Sequence, residues 1–372
     1  MNYRSLLKWL IKKTGAYGYL KNGFDSFQNR RYRDIESLIR DKKDLPLPRN
    51  VVFEPTTRCN LNCHMCPQRE DRKQLKPDLP LDKAQELLTK LKKQLNIKSM
   101  GLIGGEVFVR SDIMEILKTL EYLKVKVYIA SNGTLIDEGL AEKLKKLNNI
   151  AGLGFSLDGL KDRHDRIRGR DTAFSGVKRA VDLLKDDFSL TVNTVVMEDN
   201  IPEIVELAKL IRDWGVPNHT LQFEMSSTAQ DVESSAKMLK SVGVGDIVVE
   251  VKEKDNYDFS AAEVGAVMDE LNKISGLSVI IQPRLYSRFP TQYLDGRMRQ
   301  IPGLSCKDVN TLRISAQGEM IFCPFIKKGF GSLLDNDIAG IWNSAEAKEF
   351  RFNLYSNNLT PICKRCCRLG QK

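Results

Sequence analysis

The sequence predicts an α/β protein in which a closed or partly closed sheet of parallel strands carries helices on its outside. The first observation is an alternation of apolar strand candidates and helical stretches between residues 50 and 235. The second is a looser region that ends in a hairpin and a cysteine-rich tail. Six β–α units in about 175 residues favour a parallel sheet whose chemistry lies at the carboxyl ends of its strands.

The strands and helices of this sheet are predicted from apolar periodicity. Strand candidates lie at residues 51–55, 98–104, 125–130, 150–156, 189–196 and 219–224. Helical stretches lie near residues 82–95, 111–122, 136–147, 174–186 and 200–213. Farther on, residues 311–323 predict a hairpin that turns through Ala316-Gln-Gly-Glu319.

Four regions follow from these patterns. Residues 1–49 form a basic, helical N-terminal extension that ends in a proline-rich connector. Residues 50–235 hold the strand–helix alternation, and residues 236–300 are a connecting α/β region. Residues 301–372 form a small α/β domain that contains five cysteines.

Charge is distributed unevenly along the 372 residues, whose net charge is +10. Residues 1–49 hold 12 Lys and Arg against 5 Asp and Glu, so the remaining body is close to neutral. This balance argues against a nucleic-acid-binding groove in the body. The absence of a secretory signal and of an apolar run of about 20 residues predicts a cytoplasmic protein.

The extension has an amphipathic pattern at residues 3–13, where an apolar stripe faces away from Lys8, Lys12 and Lys13. Such a helix can pack its apolar face onto the barrel. It can also hold a protein at the periphery of a membrane, or contact an acidic partner, through residues 1–45.

Three cysteines follow the first strand with the spacing C-x3-C-x2-C, as Cys59, Cys63 and Cys66. In a cytoplasmic chain, clustered thiols indicate metal ligands before disulfides. Three thiolates on a 4Fe–4S cluster leave one iron open to another ligand, because such clusters normally take four cysteines. A structural zinc loop with His64 as the fourth ligand is the alternative.

The loop resembles the radical S-adenosylmethionine superfamily, although Met65 stands where an aromatic residue is common. The resemblance implies a partial (β/α)6 TIM-like barrel. It also implies that the open iron binds S-adenosylmethionine, whose reductive cleavage releases a 5′-deoxyadenosyl radical that abstracts hydrogen from a substrate carbon. An electron donor such as flavodoxin or ferredoxin is then expected as a partner.

The same resemblance implies a set of cofactor contacts. Glu106 would accept from the amino group of S-adenosylmethionine, Arg168 would contact its carboxylate, and the segment with Ser156 and Asp158 would reach its ribose. The complete set is Gly104, Gly105, Glu106, Asn132, Ser156, Asp158, Arg168 and Asn193.

A second set of thiols comprises Cys306, Cys323, Cys363 and Cys366, with Cys367 adjacent. It resembles the auxiliary-cluster domains called twitch and SPASM, and four thiolates imply one fully ligated auxiliary 4Fe–4S cluster. The usual C-x2-C spacing favours Cys366 over Cys367 as the fourth ligand. A zinc knuckle is the alternative.

The function expected from these features is the oxidation of a small-molecule or lipid-linked substrate, with the auxiliary cluster accepting an electron. A peptide-modifying maturase, a redox-neutral epimerase and a non-catalytic iron–sulfur or zinc scaffold are the alternatives. The substrate is not identified by the sequence. Glu224, Arg284 and Tyr286 are candidates to line its cavity, or are solvated or packed residues.

Overall fold

The structure, a computed structural model, describes residues 35–69, 76–241, 248–249, 252–253 and 260–371. The amphipathic helix predicted at residues 3–13 therefore lies outside the described residues, and so does most of the basic extension. Residues 35–40 are helical, and Ile35 and Ile39 pack into the core of the body.

The strand–helix alternation predicted from the sequence is present. The strands are β1 (Asn50–Phe53), β2 (Ser99–Leu102), β3 (Lys126–Ser131), β4 (Ile150–Ser156), β5 (Leu190–Val196), β6 (Asn218–Phe223), β7 (Ser226–Ser227), β8 (Val248–Val249), β9 (Lys252–Glu253), β10 (Ser278–Gln282), β11 (Leu304–Cys306), β12 (Thr311–Ile314), β13 (Glu319–Ile321), β14 (Ile326–Lys327), β15 (Gly329–Ser332) and β16 (Leu369–Gln371). The helices are α1 (Leu81–Leu95), α2 (Ile113–Tyr122), α3 (Glu138–Lys145), α4 (Lys161–Arg168), α5 (Ala173–Leu184), α6 (Ile204–Asp213), α7 (Ala229–Ser241), α8 (Ala261–Asn272), α9 (Pro290–Leu294), α10 (Ile338–Trp342) and α11 (Ala345–Ser356).

One ten-stranded sheet organises the molecule, in the order β10-β6-β5-β4-β3-β2-β1-β12-β13-β15. The strands from β10 to β12 are parallel, and β13 and β15 continue antiparallel. The α/β prediction is confirmed, and so is the hairpin, which consists of β12 and β13. Because β12 pairs directly with β1, the C-terminal hairpin extends the barrel sheet. The domain boundaries at residues 50, 236 and 301 stay predictions.

The two faces of the sheet have different surroundings. In β3, Val127, Ile129 and Ser131 are buried, whereas Lys126 and Tyr128 on the alternate positions are exposed. Alternation of this kind buries one face and leaves the other open. The helices cover the buried face with apolar side chains, as α1 does with Leu87, Leu88 and Leu91, so the open face is the inner face of the partial barrel.

Helix α4 was not predicted. Its sequence KDRHDRIR has Ile167 as its one aliphatic residue, so periodicity gives no apolar stripe. The helix nevertheless buries the polar side chains of His164, Asp165 and Arg168. Its C-terminal end therefore lies against the body of the protein, close to the cysteine loop described below.

None of the helices in the described part of the chain is both long enough and apolar enough to span a membrane.

The packing of α2 gives a test of the fold. Leu120 is fully buried beneath the helix, whereas Tyr122 on the same helix is 86% exposed. Replacing Leu120 with alanine should lower the free energy of unfolding by about 2–5 kcal/mol, because a cavity remains in the core. The matched change Tyr122→Ala should alter it by about 0.5 kcal/mol or less. Chemical denaturation followed by circular dichroism measures both, and equal effects would contradict the placement of α2.

Candidate functional site

The first set of thiols lies in the loop that follows β1, at the carboxyl end of the parallel sheet. The loop turns tightly, since the backbone N–H of Cys66 donates to the carbonyl of Cys63 at 3.3 Å. The backbone N–H of Leu61 donates to Sγ of Cys59 at 3.4 Å. A donor aimed at a sulfur stabilises the thiolate form, which is the form that binds metal.

The glycines after β2 hold this loop in place. The backbone N–H of Gly105 donates to the Thr56 carbonyl at 3.0 Å, and a Cβ at Gly105 would stand 2.1 Å from the Arg58 carbonyl. Gly104 has a φ of +137°, and a Cβ there would stand 2.4 Å from the Thr56 carbonyl. The backbone that approaches these glycines closely is that of the cysteine loop, and their contact with a cofactor stays a prediction.

Glu106 is 1% exposed, and protein donors already bind both of its carboxylate oxygens. Oε1 accepts from the hydroxyl of Ser131 at 2.9 Å and from the backbone N–H of Phe108 at 3.2 Å. Oε2 accepts from the backbone N–H of Asn132 at 2.7 Å. Burial raises the pKa of Glu106, although these donors oppose the shift. The structure thus shows Glu106 tying β2 to the end of β3, and its contact with a cofactor amine stays a prediction.

Two predicted site residues lie beside the first thiols. Nδ2 of Asn132 is 3.9 Å from Sγ of Cys59 and donates to Asn60 Oδ1 at 2.9 Å. Nη1 of Arg168, at the end of α4, is 3.6 Å from Sγ of Cys63. Burial raises the pKa of the Cys63 thiol, and the Arg168 guanidinium opposes this shift. Hydrogen-bond donors therefore reach the sulfurs of Cys59 and Cys63.

Asp158 is fully buried and holds Arg168 in position. Its Oδ2 pairs with Nη2 of Arg168 at 2.5 Å, and its Oδ1 accepts from the backbone N–H of Val195 at 2.9 Å. Burial alone would lower the pKa of Arg168, but the negative charges of Asp158 and Cys63 raise it. The guanidinium is thus a fixed cation beside the thiols, and the predicted contact of Asp158 with a ribose is untested.

Ser156 and Asn193 are opposite each other on neighbouring strands, where β4 pairs with β5. Both are partly exposed on the inner face of the sheet. A Cβ at Gly154 would stand 2.6 Å from Nδ2 of Asn193, so the glycine makes room for this amide. The two predicted cofactor contacts therefore share one polar position inside the barrel.

The second set of thiols comes together from three separate segments. Cys306 ends β11, Cys323 follows β13, and Cys363 and Cys366 lie in and after the 3₁₀ turn Pro361–Arg365. Burial raises the pKa of Cys323 to about 12 and that of Cys363 to about 11, and charge on neighbouring thiols adds to both shifts. Burial also raises the pKa of Cys306 well above its ordinary value, with contributions from the other three. Buried thiols of this kind are held as thiolates only by a metal.

Hydrogen-bond donors reach the sulfurs of this set. The backbone N–H groups of Phe325 and Ile326 donate to Cys323. The hydroxyl of Thr360 is 3.1 Å from Sγ of Cys363, and the backbone N–H of Arg368 donates to Sγ of Cys366 at 3.3 Å. The fifth thiol, that of Cys367, is hydrogen-bonded to Cys366. The choice of Cys366 over Cys367 as the fourth ligand stays a prediction.

A single cavity of about 440 Å3 connects the two sets of thiols. Cys66 lines one side of it, and all five C-terminal cysteines line the other. The inner face of the sheet contributes Val52 and Gln222, so the cavity opens from the barrel interior. Most of the remaining wall is apolar.

A charged row forms the polar wall of this cavity, and sequence reasoning missed it. Glu54 accepts from Gln68 Nε2 at 3.0 Å and from Arg313 Nη1 at 3.2 Å. Asp308 accepts from Arg368 at 2.7 and 3.0 Å and lies 3.8 Å from Arg313 Nη2. The sequence does contain a signal for this row, because Glu54 and Arg313 are charged residues in otherwise apolar strand segments.

The arrangement of the thiols fits iron–sulfur clusters. Across the described ranges, no three His, Cys, Asp or Glu side chains converge as ligands of one metal ion. A zinc site needs such convergence, because each sulfur lies about 2.3 Å from the same ion. A cluster places each thiolate on a different iron and so accepts a wider spacing.

The three candidate cavity residues have different environments. Tyr286 packs between Phe223 and Tyr293, with ring centroids 4.7 and 5.8 Å away, and burial raises its pKa to about 12. Glu224 is buried at 4% exposure, at the end of β6. Burial lowers the pKa of Lys307, and the charges of Arg368 and Arg284 add to that shift, so Arg284 lies near this lysine. None of the three borders the cavity between the thiol sets.

Two known proteins are similar in sequence to parts of this chain. The AdoMet-dependent heme synthase of Methanosarcina barkeri is 23% identical over 304 residues, which cover 80% of this chain and 83% of that protein. The antilisterial bacteriocin subtilosin biosynthesis protein AlbA of Bacillus subtilis is 30% identical over 174 residues, 46% of this chain and 38% of that protein.

Solved structures show the same fold at low identity. The Streptococcus suis protein SuiB, bound to S-adenosylmethionine, superimposes with a TM-score of 0.61 at 18% identity, over 92% of this chain and 78% of that one. The protein anSMEcpe with bound AdoMet gives 0.59 at 19% identity, over 82% of each chain.

Two family profiles match the two halves of the site. Residues 53–211 match the radical SAM superfamily and contain the first three thiols with the motifs after β2, β3 and β4. Residues 306–367 match the SPASM iron–sulfur cluster-binding domain and contain all five later cysteines. The chain therefore belongs to the radical SAM superfamily and carries a SPASM-type iron–sulfur domain.

Proposed function

We propose that this protein cleaves S-adenosylmethionine reductively and oxidises a small substrate bound between its two cysteine sets. The observation that carries the proposal is the shared cavity, which Cys66 borders on one side and the C-terminal cysteines on the other. A substrate in this cavity would lie within reach of both redox sites. The cavity measures about 440 Å3, and the auxiliary cluster would take up the part of it that the C-terminal cysteines line, so the substrate would use the remainder.

The residues of the first site have separable tasks. Cys59, Cys63 and Cys66 would hold a cluster by three thiolates and leave one iron for the cofactor. Arg168 and Asn132 lie beside the sulfurs of Cys63 and Cys59, where a positive charge and an N–H donor stabilise thiolate. Ser156 and Asn193 offer polar groups on the inner face for the rest of the cofactor.

The residues of the second site suit electron acceptance. Four thiolates from Cys306, Cys323, Cys363 and Cys366 would leave no open iron, so substrate binding to the cluster is not expected. When bound, the first cluster with S-adenosylmethionine supplies hydrogen-atom abstraction and the second supplies an electron acceptor. The substrate would give a hydrogen atom to the 5′-deoxyadenosyl radical, then one electron to the auxiliary cluster and one proton to water, which together make a two-electron oxidation.

The names of the two relatives point to two kinds of substrate. A heme synthase matches most of the chain, whereas a bacteriocin biosynthesis protein matches less than half of it. The second candidate is therefore peptide modification, in which a single side chain would enter the cavity. An electron donor such as flavodoxin or ferredoxin remains the expected partner. Membrane or acidic-partner contact through residues 1–45 also stays a prediction.

Removal of a first-site thiol gives the primary test. The anaerobically reconstituted protein should bind seven to eight irons, about four per cluster, and form 5′-deoxyadenosine on reduction. Cys63→Ala should lose about four irons and all cofactor cleavage, because the three-thiolate site cannot assemble. Iron analysis and chromatography of 5′-deoxyadenosine measure both. Substantial cleavage by Cys63→Ala, or bound zinc in place of iron, would contradict the proposal and favour a scaffold.

Adjacent cysteines in the tail provide a matched pair for the second site. Cys366→Ala should lose about four irons yet retain reductive cleavage of S-adenosylmethionine, because the first site is intact. Cys367→Ala should keep the full iron content, since the C-x2-C spacing favours Cys366 as the fourth ligand. Iron loss in Cys367→Ala but not in Cys366→Ala would show that Cys367 is the fourth ligand. Loss of cleavage together with the auxiliary iron would show that the second cluster is needed for more than accepting an electron.

Thr360 offers a way to test electron acceptance without a substrate. Its side chain is completely buried, and its hydroxyl lies 3.1 Å from Sγ of Cys363. A donor to a cluster sulfur stabilises the reduced form more than the oxidised form, because the reduced form carries one more negative charge. Thr360 is therefore placed to raise the reduction potential of the auxiliary cluster and favour electron uptake.

Replacing Thr360 with valine should shift that potential to a lower value while leaving the iron content unchanged. Thr360→Ser keeps the hydroxyl and should stay near the wild-type potential. A redox titration followed by electron paramagnetic resonance separates the two clusters. An unchanged potential in Thr360→Val with full iron would show that the hydroxyl does not act on Cys363.

A further inference from the structure

The charged row in the cavity has one member whose hydrogen-bonding groups are not fully used. Arg313 is 9% exposed and lies on β12, where it lines the cavity. Its Nη1 donates to Glu54 at 3.2 Å. Its Nε has no acceptor, and Nη2 is 3.8 Å from Asp308, which is longer than a hydrogen bond. A buried guanidinium with unmet donors is unfavourable unless a ligand completes it.

The unmet donors lie on one edge of the guanidinium. Nε and Nη2 form the side of the arginine fork that matches the two oxygens of a carboxylate. Glu54 occupies the other nitrogen, and Asp308 is engaged mainly by Arg368 at 2.7 and 3.0 Å. Glu54 therefore holds Arg313 at Nη1, Asp308 stands within ion-pair distance of Nη2, and Nε is the donor left without an acceptor.

The local charge balance permits an anion in this cavity. Glu54 pairs with Arg313, and Asp308 pairs with Arg368. Lys307 lies close enough to Asp308 and Arg368 for both charges to affect its pKa. Counted together, and apart from the thiolates and their clusters, the five groups of this polar wall carry one net positive charge. An anionic ligand would meet that charge on the polar wall.

The remaining residues that line the cavity indicate that most of the ligand is apolar. Apart from the thiols and the charged row, the wall is formed mainly by apolar side chains, which favour a ligand with an apolar body. Its members include Ile103, Met225, Val309, Phe322, Phe325 and Leu354. One polar wall facing apolar walls fixes the orientation of such a ligand.

We infer that the substrate of this enzyme carries a carboxylate on a compact apolar body, and that Arg313 binds the carboxylate between the two cysteine sets. The inference rests on the proposed function and adds the chemical class of its substrate. Glu54 and Asp308 are positioning residues in this site, because they orient the guanidinium. The carboxylate end would be held at β12 while the apolar body extends along the cavity between Cys66 and the auxiliary thiols.

Two probes of matched shape test the inference on the protein with both clusters and S-adenosylmethionine bound. They are 4-phenylbutanoate and 4-phenylbutan-1-ol, which share an apolar body and differ in the carboxylate. Anaerobic isothermal titration calorimetry should show that the wild type binds the carboxylate about tenfold or more tightly than the alcohol. Arg313→Gln should lose this preference, and Arg313→Lys should retain only part of it, because lysine keeps the charge without the fork.

Arg179→Gln serves as the control, since Arg179 binds the backbone carbonyls of Ile136 and Thr134 and does not line the cavity. It should keep the wild-type preference. Equal binding of the two probes by the wild type, which needs no variant to fold, overturns the inference. Retention of the preference by Arg313→Gln overturns it as well. Iron content and 5′-deoxyadenosine formation in the same samples report separately on the proposed function.

Discussion

The parallel pairing of β1 with β12 is the constraint on which the rest of this structure depends. In this register Val52 stands opposite Arg313, and Phe53 stands opposite Ile314. The loop that leaves β1 carries the first three thiols, while the segments around β12 and β13 carry Cys306 and Cys323. Backbone hydrogen bonds in one continuous sheet therefore set the separation of the two cysteine sets. A flexible tether between two domains would leave that separation variable.

Buried ion pairs reinforce this arrangement at each end of the cavity. Arg168 pairs with Asp158 beside Cys63, and Arg313 pairs with Glu54 on the polar wall. Desolvating such charges is costly, so pairs of this kind are weak evidence for stability and better evidence for a fixed geometry. Each arginine thus places a fixed positive charge where anionic thiolates or a substrate anion would need one.

The features that could be predicted from the sequence are those with a local residue spacing. The features that were missed depend on contacts between residues far apart in the chain. Alternation located β1 to β6, and cysteine spacing located both thiol sets, because each signal lies within one short segment. Helix α4 was missed since tertiary burial of polar side chains, rather than an apolar stripe, stabilises it. The pairing of Arg313 with Glu54 spans 259 positions in the chain, and periodicity carries no information at that range.

The motif residues also show that one residue type can serve two purposes. Gly105 and Glu106 were predicted as cofactor contacts, and their backbone N–H groups bind the cysteine loop at Thr56 and Arg58. Glu106 in turn fixes Asn132, which reaches Cys59. The motif therefore positions the thiols whether or not it also touches S-adenosylmethionine. A motif match by itself cannot separate these roles, because the same glycines are required when a backbone approaches as when a ligand does.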